Sequence, residues 1–357
     1  MDNMENTEKL NVYIPPEMKA QIQNDAMLFE IFKKNRRDVN INRFLSLLLC
    51  GYHDEYLFEN DQSHKSILKI MNDYNLSAAD LSDISDRILK EAILPTDDLY
   101  QSKKNIPLSL KPTAATKRVL LSIERNLAGR DTMSQYIRRM LISYFQKAAW
   151  QRERIIFHYN SEFLIDACQN ERSVSFSLIW REEQLHEVIP YMLLPGSDGM
   201  FNYLICTEYN LATEKQEVRS YRLSRITMLG YGRSPYKMSK ELLARCKRTA
   251  DIAPQYAINT EVEICVKLSD AGEILYNRIY SGRPKYCRIE DKEEGHYYYF
   301  HCSEAQVFHY FRRFDNSTAI IISPISLRER MADFHLKAFQ SYQQMKEEAI
   351  NEYQTDL

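Results

Sequence analysis

The chain has 357 residues, of which 44% are hydrophobic and 27% are charged. This composition is typical of a core-forming protein of two or three domains and excludes a largely disordered chain. No apolar run approaches the ~18 residues that cross a bilayer, and the acidic, polar start is unlike a secretory signal. Seven scattered Cys without a C-x-x-C pair favour reduced thiols in the cytoplasm over a disulfide framework.

The net charge of −2 conceals two basic segments. Residues 101–150 carry 10 Lys and Arg against 2 Asp and Glu, and residues 219–248 carry nine basic residues with Glu241 as the one acid. Such clustering favours a polyanionic partner that binds at defined surfaces. The alternative is that these segments are solvated helix faces, balanced by acidic neighbours.

A diverged repeat occupies the first 150 residues. Residues 10–14 alternate apolar and polar side chains, which predicts a strand, and a helix and a second helix capped by Asn40 follow. The same order returns with a strand at 106–110 and a helix capped by Thr132. The two second helices align without gaps at an offset of 92 residues.

The order strand, helix, capped helix resembles the ribbon-helix-helix family. The resemblance implies that the two copies pair their strands within one chain, 10–14 against 106–110. The implied ribbon-helix-helix surface comprises Asn11, Tyr13, Ser109, Lys111, Thr132, Ser134, Arg138 and Arg139. Its outward strand positions include only one cation and lack the Arg that makes the commonest guanine contact. We therefore expect a poor DNA-binding ribbon that serves assembly instead.

After residue 150 the pattern predicts one short helix and about five short strands. Two of these strands carry Asn202-Tyr203-Leu204 and, later, Tyr221-Arg222-Leu223-Ser224-Arg225-Ile226. These sequences resemble the WYL-domain family, which is named for a Trp-Tyr-Leu strand, here Phe-Tyr-Leu with Asn202 inserted. The resemblance implies a small Sm-like β-barrel.

The strongest candidate site is a pocket in this barrel. Arg222 and Arg225 offer fork-shaped donors for phosphates or carboxylates, and the resemblance adds Tyr203. Residues three apart on a regular strand face opposite sides, so both Arg reach one ligand only if the strand bends or ends between them. The alternative is that Tyr203 packs in the core and one Arg pairs with Glu208 or Glu217. The full candidate set for nucleic-acid or ligand binding is Tyr203, Arg219, Tyr221, Arg222, Arg225 and Arg233.

The last hundred residues predict the order βαββαβ followed by a long helix, which points to a ferredoxin-like domain. It resembles the C-terminal extension of WYL-domain proteins. Alternate rings of Tyr297-Tyr298-Tyr299-Phe300 are interpreted as core, although aromatic surfaces also stack unpaired bases. His296 and His301 face opposite sides of a strand, so we expect no metal site there.

We therefore predict an α+β multidomain protein with a ribbon-helix-helix region (1–150), a WYL barrel with a basic linker (151–250) and a ferredoxin-like extension (251–357). No catalytic motif is found, and no cofactor or metal is expected. The order resembles the WYL accessory proteins encoded beside type VI-D CRISPR effectors. That resemblance implies a homodimer that binds single-stranded RNA and stimulates an RNA-guided ribonuclease. The alternative is a dimeric transcriptional regulator that binds operator DNA and senses a nucleotide-like ligand.

Overall fold

The computed structural model describes residues 9–74, 76–94, 100, 104–127, 132–233, 237–315 and 317–355. Helices and antiparallel sheets are mixed along these residues, which confirms the predicted α+β class. The chain divides into two compact units. The first lies within residues 1–163, 199–202 and 223–226, and the second within 164–198, 203–222 and 227–357. The three predicted domain boundaries stay a prediction.

A two-stranded ribbon begins the first unit. Strand β1 (Leu10–Ile14) pairs antiparallel with β2 (Ile106–Leu110). Both strands alternate buried and exposed positions, so Val12 and Leu108 are buried while Tyr13 is half exposed. This alternation follows from the two-residue period of a strand. The predicted pairing of the two strands within one chain is confirmed.

Helices follow each strand of the ribbon. In order they are α1 (Pro16–Leu28), α2 (Ile41–Met71), α3 (Ala78–Ile88), α4 (Ala114–Leu127), α5 (Met133–Gln146), α6 (Ala149–Ile156) and α7 (His158–Gln169). The predicted caps are present, since Asn40 accepts a hydrogen bond from the Arg43 amide at 3.0 Å and Thr132 accepts one from the Gln135 amide at 3.2 Å. Helix α2 is longer than the repeat predicted, because neither Gly nor Pro interrupts residues 52–71.

Equivalent positions of the two second helices form the core of the first unit. Phe44, Leu48 and Tyr52 of α2 are fully buried, as are Met140 and Tyr144 of α5. The Tyr144 ring packs edge-on against Phe44, with centroids 6.0 Å apart, and lies 6.4 Å from the Tyr52 ring. Burying one large apolar side chain contributes about 1.5–3 kcal/mol. The sequence repeat is therefore a repeat of core-facing positions.

A buried carboxylate links three helices of the same unit. Asp25 of α1 accepts a hydrogen bond from the Tyr144 hydroxyl of α5 at 2.9 Å. It also accepts two from the Arg152 guanidinium of α6, at 2.8 Å and 3.0 Å. Burial and the adjacent carboxylate raise the pKa of Tyr144. The Asp25 charge is thus matched by a bidentate Arg, the arrangement that a buried carboxylate needs.

The next sheet has five strands. They are β3 (Val174–Leu178), β4 (Arg181–Pro195), β5 (Asn202–Asn210), β6 (Lys215–Arg222) and β7 (Ile226–Tyr231). Their spatial order is β6-β5-β4-β3-β7, so four consecutive strands form a meander and the fifth pairs with the first. The first four strands were predicted. About five strands were expected, but β7 was not located in the sequence; its Met228 has a φ of 51°, which is unusual within a strand.

Helix α8 (Lys240–Ile252) covers one face of this sheet. Its Leu242 and Cys246 pack against Ile205 of β5 and Val218 of β6. The opposite face of α8 is exposed, as expected for an amphipathic helix on a sheet. The packing therefore decides which side chains of the second basic segment project into solvent.

The last part of the chain forms a four-stranded antiparallel sheet with helices. Its elements are β8 (Ile264–Leu268), α9 (Asp270–Arg278), β9 (Arg288–Lys292), β10 (Gly295–Phe300), α10 (Glu304–Phe311), β11 (Ala319–Ser323) and α11 (Ile325–Thr355). The predicted order βαββαβ plus a terminal helix is confirmed, with antiparallel neighbours in the order β11-β8-β10-β9. Tyr298 and Phe300 are buried, as the core interpretation predicted, whereas Tyr297 and Tyr299 are partly exposed. Among the described helices, none has the length and apolar character to span a membrane.

Candidate nucleic-acid interface

Tyr203 and Arg222 lie directly opposite each other on the neighbouring strands β5 and β6. Opposed residues of an antiparallel pair project from the same face of the sheet, with Cβ atoms about 4.5–5.5 Å apart. Strand β6 ends at Arg222, and a 3-10 turn over Leu223–Arg225 follows. The structure thus places a phenol and a guanidinium side by side at the end of β6, both partly exposed.

The Tyr203 ring is held against the backbone of Gly196. A Cβ at position 196 would lie 2.8 Å from Cε2 of Tyr203, closer than real Cβ contacts allow. The same Cβ would lie 3.1 Å from the Asp198 carboxylate. Glycine at 196 therefore permits the close approach that fixes Tyr203, and an acidic side chain borders the same spot.

Arg225 forms an ion pair inside the first unit. Its Nε and Nη2 both donate to Oε1 of Glu30, at 3.0 Å and 2.7 Å. The Arg225 side chain is 46% exposed and that of Glu30 is 13% exposed. Arg225 belongs to the first unit, whereas Tyr203 and Arg222 belong to the second. Within its own unit, Arg225 has the geometry of a structural contact to a mostly buried carboxylate.

The inserted Asn202 has a structural partner of its own. Its amide nitrogen Nδ2 donates to the fully buried Glu153 at 3.0 Å and to the Trp150 carbonyl at 2.7 Å. Glu153 also accepts a hydrogen bond from the backbone amide of Ser224 at 3.1 Å. One carboxylate thereby anchors the residues at the start of β5 and in the turn after β6.

Arg219 and Tyr221 belong to a polar cluster that surrounds Glu208. The Tyr221 hydroxyl donates to Glu208, and His186 Nδ1 lies 2.8 Å from the same carboxylate. Arg219 approaches Glu208 at 3.8 Å and Glu217 at 3.0 Å. Burial opposes ionisation of Glu208, but hydrogen bonds from His186 and Tyr221 outweigh it and lower its pKa. Burial raises the pKa of Tyr221. The Arg219 charge is therefore balanced by carboxylates.

Several cations of the second basic segment are also paired. Arg245 lies 2.7 Å from Glu241, and Arg248 lies 2.5 Å from Glu261. Arg233 follows β7, where its backbone amide donates to Glu187 while its side chain is exposed. The alternative interpretation of acidic neighbours thus holds for part of this segment.

The exposed face of α8 and the residues just before the helix carry cations that the candidate set missed. Lys237, Lys240 and Lys247 are exposed, and within the described part of the chain none of them contacts a carboxylate. Lys240 and Lys247 are seven residues apart, so they lie on the same side of the helix. This spacing was visible in the sequence. The sequence did not show which cations of the second basic segment form ion pairs with carboxylates.

The outward face of the ribbon is polar and partly self-bonded. The Ser109 hydroxyl donates to the Asn11 side chain at 2.6 Å. Tyr13 is half exposed, and the Lys111 side chain is exposed. The backbone amide of Lys111 donates to the Asn42 side chain at 2.7 Å. The two side chains best suited to base edges are thus engaged with each other.

Residues at the start of α5 hold that helix to the ribbon. Ser134 Oγ accepts a hydrogen bond from the Tyr13 amide at 3.4 Å, and Arg138 Nη1 donates to the Tyr13 carbonyl at 2.9 Å. Thr132 caps the helix, and Arg139 is partly buried. Thr132, Ser134 and Arg138 therefore serve local structure, which leaves Lys111 as the exposed cation of the predicted ribbon-helix-helix surface.

Potential metal ligands lie close together in the four-stranded sheet. His296 lies 2.6 Å from Asp291 and 3.1 Å from Asp270, and these hydrogen bonds raise its pKa. Among the described residues, Glu263, Cys287 and His301 bring three ligand atoms within 4.8 Å of one another. The first group is a set of ion pairs, while the second mixes the nitrogen, sulfur and oxygen donors that zinc accepts.

Comparison with known proteins gives a similarity of fold. No protein-family model and no curated protein matches the sequence. The chain is similar to a solved structure described as a CRISPR Cas-related protein, with 18% identity, a TM-score of 0.64 and coverage of 95% of both chains. A second similarity is to proteasome accessory factor B/C (PafBC) of Arthrobacter aurescens, with 14% identity, coverage of 92% of this chain and 49% of that one, and a TM-score of 0.24. The first similarity shows a common fold, and the second is too low to show one.

Proposed function

We propose that this protein is a non-catalytic regulator that binds single-stranded RNA. The observation that carries the proposal is the exposed face of α8, where Lys240 and Lys247 project, together with Lys237 just before the helix. None of the three has a carboxylate partner in the described residues. A row of unneutralised cations attracts a polyanion and releases its counterions. Exposed Arg233 extends the positive charge of the same segment.

The ribbon supports RNA over duplex DNA as the ligand. Its outward face presents Asn11, Tyr13 and Ser109, and the hydrogen bond between Asn11 and Ser109 occupies groups that would otherwise meet base edges. Lys111 is its exposed cation. Specific duplex recognition usually relies on Arg or Lys at guanine and on several phosphate contacts. The cationic α8 face suits single strands, which are bound through the backbone and by stacking.

A role beside an RNA-guided CRISPR ribonuclease is the most specific form of the proposal. It is supported by the fold shared with the CRISPR Cas-related protein and by the resemblance of the sequence to WYL accessory proteins. The protein would stimulate the ribonuclease by bringing RNA to it, and it would act as a homodimer. It would supply no reacting group itself.

The proposal also assigns a type to each of the three predicted domains. The pair β1 and β2 with its capped helices supports a ribbon-helix-helix unit. A helix and five strands in which the last strand returns to the first support an Sm-like WYL barrel. The order β11-β8-β10-β9 supports a ferredoxin-like extension.

A second candidate is a dimeric transcriptional regulator that binds operator DNA and senses a nucleotide-like ligand. The observation that favours it is the ribbon itself, because a two-stranded antiparallel ribbon fits the major groove. The neighbouring Tyr203 and Arg222 would then contact the ligand's phosphate.

Binding experiments separate the two candidates. The full chain is titrated with single-stranded RNA, duplex RNA and duplex DNA at two salt concentrations. We expect the tightest binding to single-stranded RNA, with affinity that falls steeply as salt rises. Equal or tighter binding to duplex DNA would overturn the RNA proposal. Cleavage by the cognate RNA-guided ribonuclease, measured with and without the protein, tests stimulation, and light scattering tests the dimer.

A further inference from the structure

Three strand ends lie side by side at one edge of the four-stranded sheet. Glu263 immediately precedes β8, Cys287 immediately precedes β9, and His301 immediately follows β10. Strand β10 lies between β8 and β9 and is antiparallel to both. The starts of β8 and β9 therefore meet the end of β10 at the same edge, which places the three side chains together although they are far apart in the chain.

The distances from Glu263 Oε1 to the other two ligand atoms are close to those of a tetrahedral metal site, and all three atoms lie within 4.8 Å of one another. Cys287 Sγ lies 3.7 Å from Oε1 of Glu263, and His301 Nε2 lies 3.6 Å from the same oxygen. Zinc bonds of about 2.0–2.3 Å at tetrahedral angles separate neighbouring ligand atoms by about 3.3–3.5 Å. The two distances from Oε1 therefore exceed the ideal separations by only about 0.1–0.4 Å.

We propose that Glu263, Cys287 and His301 bind a divalent cation of the zinc class through one oxygen, one sulfur and one nitrogen. Three protein ligands leave the fourth tetrahedral position for water or for an incoming ligand. The mixed donor set excludes magnesium and calcium, which prefer oxygen ligands alone. The proposal is independent of RNA binding.

The surroundings hold two of the ligands in place. Arg288 holds both oxygens of Glu263, because Nη2 donates to Oε2 at 2.7 Å and Nε donates to Oε1 at 3.3 Å. Oε1 can accept more than one bond, so its second lone pair is available to a metal on the side of Cys287 and His301. Carboxylates that bind metals are commonly held in this way by hydrogen bonds from neighbouring groups. The backbone amide of Cys287 donates to the Tyr299 carbonyl at 2.8 Å and fixes the start of β9.

The charges of the site accommodate a cation despite Arg288. The guanidinium is shared between the Glu263 and Glu290 carboxylates, so its charge is already balanced. Zinc binds the thiolate form of cysteine, so the cation displaces the thiol proton of Cys287 as it binds. The thiolate formed in this way adds the negative charge that a zinc ion requires.

The test is zinc binding by the full chain after chelator treatment. Zinc is titrated in competition with a chromophoric chelator, and cobalt is titrated separately to detect a thiolate-to-cobalt absorption band. We expect one equivalent of zinc and a cobalt band. Cys287→Ser and His301→Ala should each weaken zinc binding by about tenfold or more, and Cys287→Ser should abolish the band.

Matched controls are Cys50→Ser, which removes another exposed thiol, and His296→Ala, which removes a histidine from β10. Both should retain the zinc affinity and the cobalt band. Circular dichroism of each variant checks its fold, and Glu263→Gln provides a third ligand substitution if one of the others unfolds. Absence of stoichiometric zinc binding, or unchanged affinity in the folded ligand variants, would overturn the proposal.

Discussion

Arg225 donates two hydrogen bonds to one oxygen of Glu30, a residue 195 positions earlier in the chain. The Glu30 side chain is mostly buried, so loss of the guanidinium leaves a carboxylate with less solvation than it needs. This contact gives Arg225 a structural function within the first unit.

The first prediction concerns that ion pair. Arg225→Ala should lower the free energy of unfolding by about 1 kcal/mol, since the pair is partly exposed. A double-mutant cycle with Glu30→Gln, followed by urea unfolding, measures the coupling, which we expect at about 0.5–1 kcal/mol. RNA affinity should stay unchanged. A loss of affinity with unchanged stability would instead place Arg225 in the binding site.

Arg222 leads to a contrasting expectation. Because it projects beside Tyr203 at the end of β6, Arg222→Ala should weaken binding of single-stranded RNA by about tenfold, the equivalent of one charge-assisted hydrogen bond. Arg222→Lys should recover only part of the affinity, because an ammonium group lacks the bidentate fork. Affinity and melting temperature are measured on the same samples. A lowered melting temperature with wild-type affinity would assign Arg222 to the scaffold.

The lysines of α8 provide a test through salt dependence. The double variant Lys240→Gln and Lys247→Gln should bind single-stranded RNA more weakly. The slope of log affinity against log salt should fall by about 1.4, because each phosphate contact on a single strand contributes about 0.7.

A matched control for the α8 variant lies in α11. Lys337 and Lys346 are also exposed in the second unit, and the double variant Lys337→Gln and Lys346→Gln removes the same number of charges. Its slope should equal that of the wild type. If both double variants lowered the slope of log affinity against log salt equally, RNA binding would depend on net charge alone, and the α8 face would not be a specific binding surface.

The fourth expectation concerns the stability contributed by the buried Asp25. Asp25→Asn should destabilise the protein by roughly 3–5 kcal/mol, because it leaves the Arg152 guanidinium largely buried without its charged partner. Tyr144→Phe removes one hydrogen bond to the same carboxylate and should cost about 1 kcal/mol. Urea unfolding followed by circular dichroism measures both. Similar stabilities for the two variants would contradict the ranking.

The sequence by itself determined the repeat and most of the order of elements. Alternation at residues 10–14 and 106–110 specified two half-buried strands, and Asn40 and Thr132 marked the starts of α2 and α5, because strand periodicity and capping are local properties. The helix and strand order of the last hundred residues followed from the same local signals. The opposition of Tyr203 and Arg222 was anticipated as a convergence of two strands.

Only the tertiary structure decided which charged side chains have partners. Arg225 meets Glu30 and the inserted Asn202 meets Glu153, both through contacts that no local pattern encodes. The same holds for Glu263, Cys287 and His301, which come together because antiparallel strands bring the start of one beside the end of the next. A charge in the sequence is a possible ligand, and the fold determines whether a neighbouring carboxylate has already neutralised it.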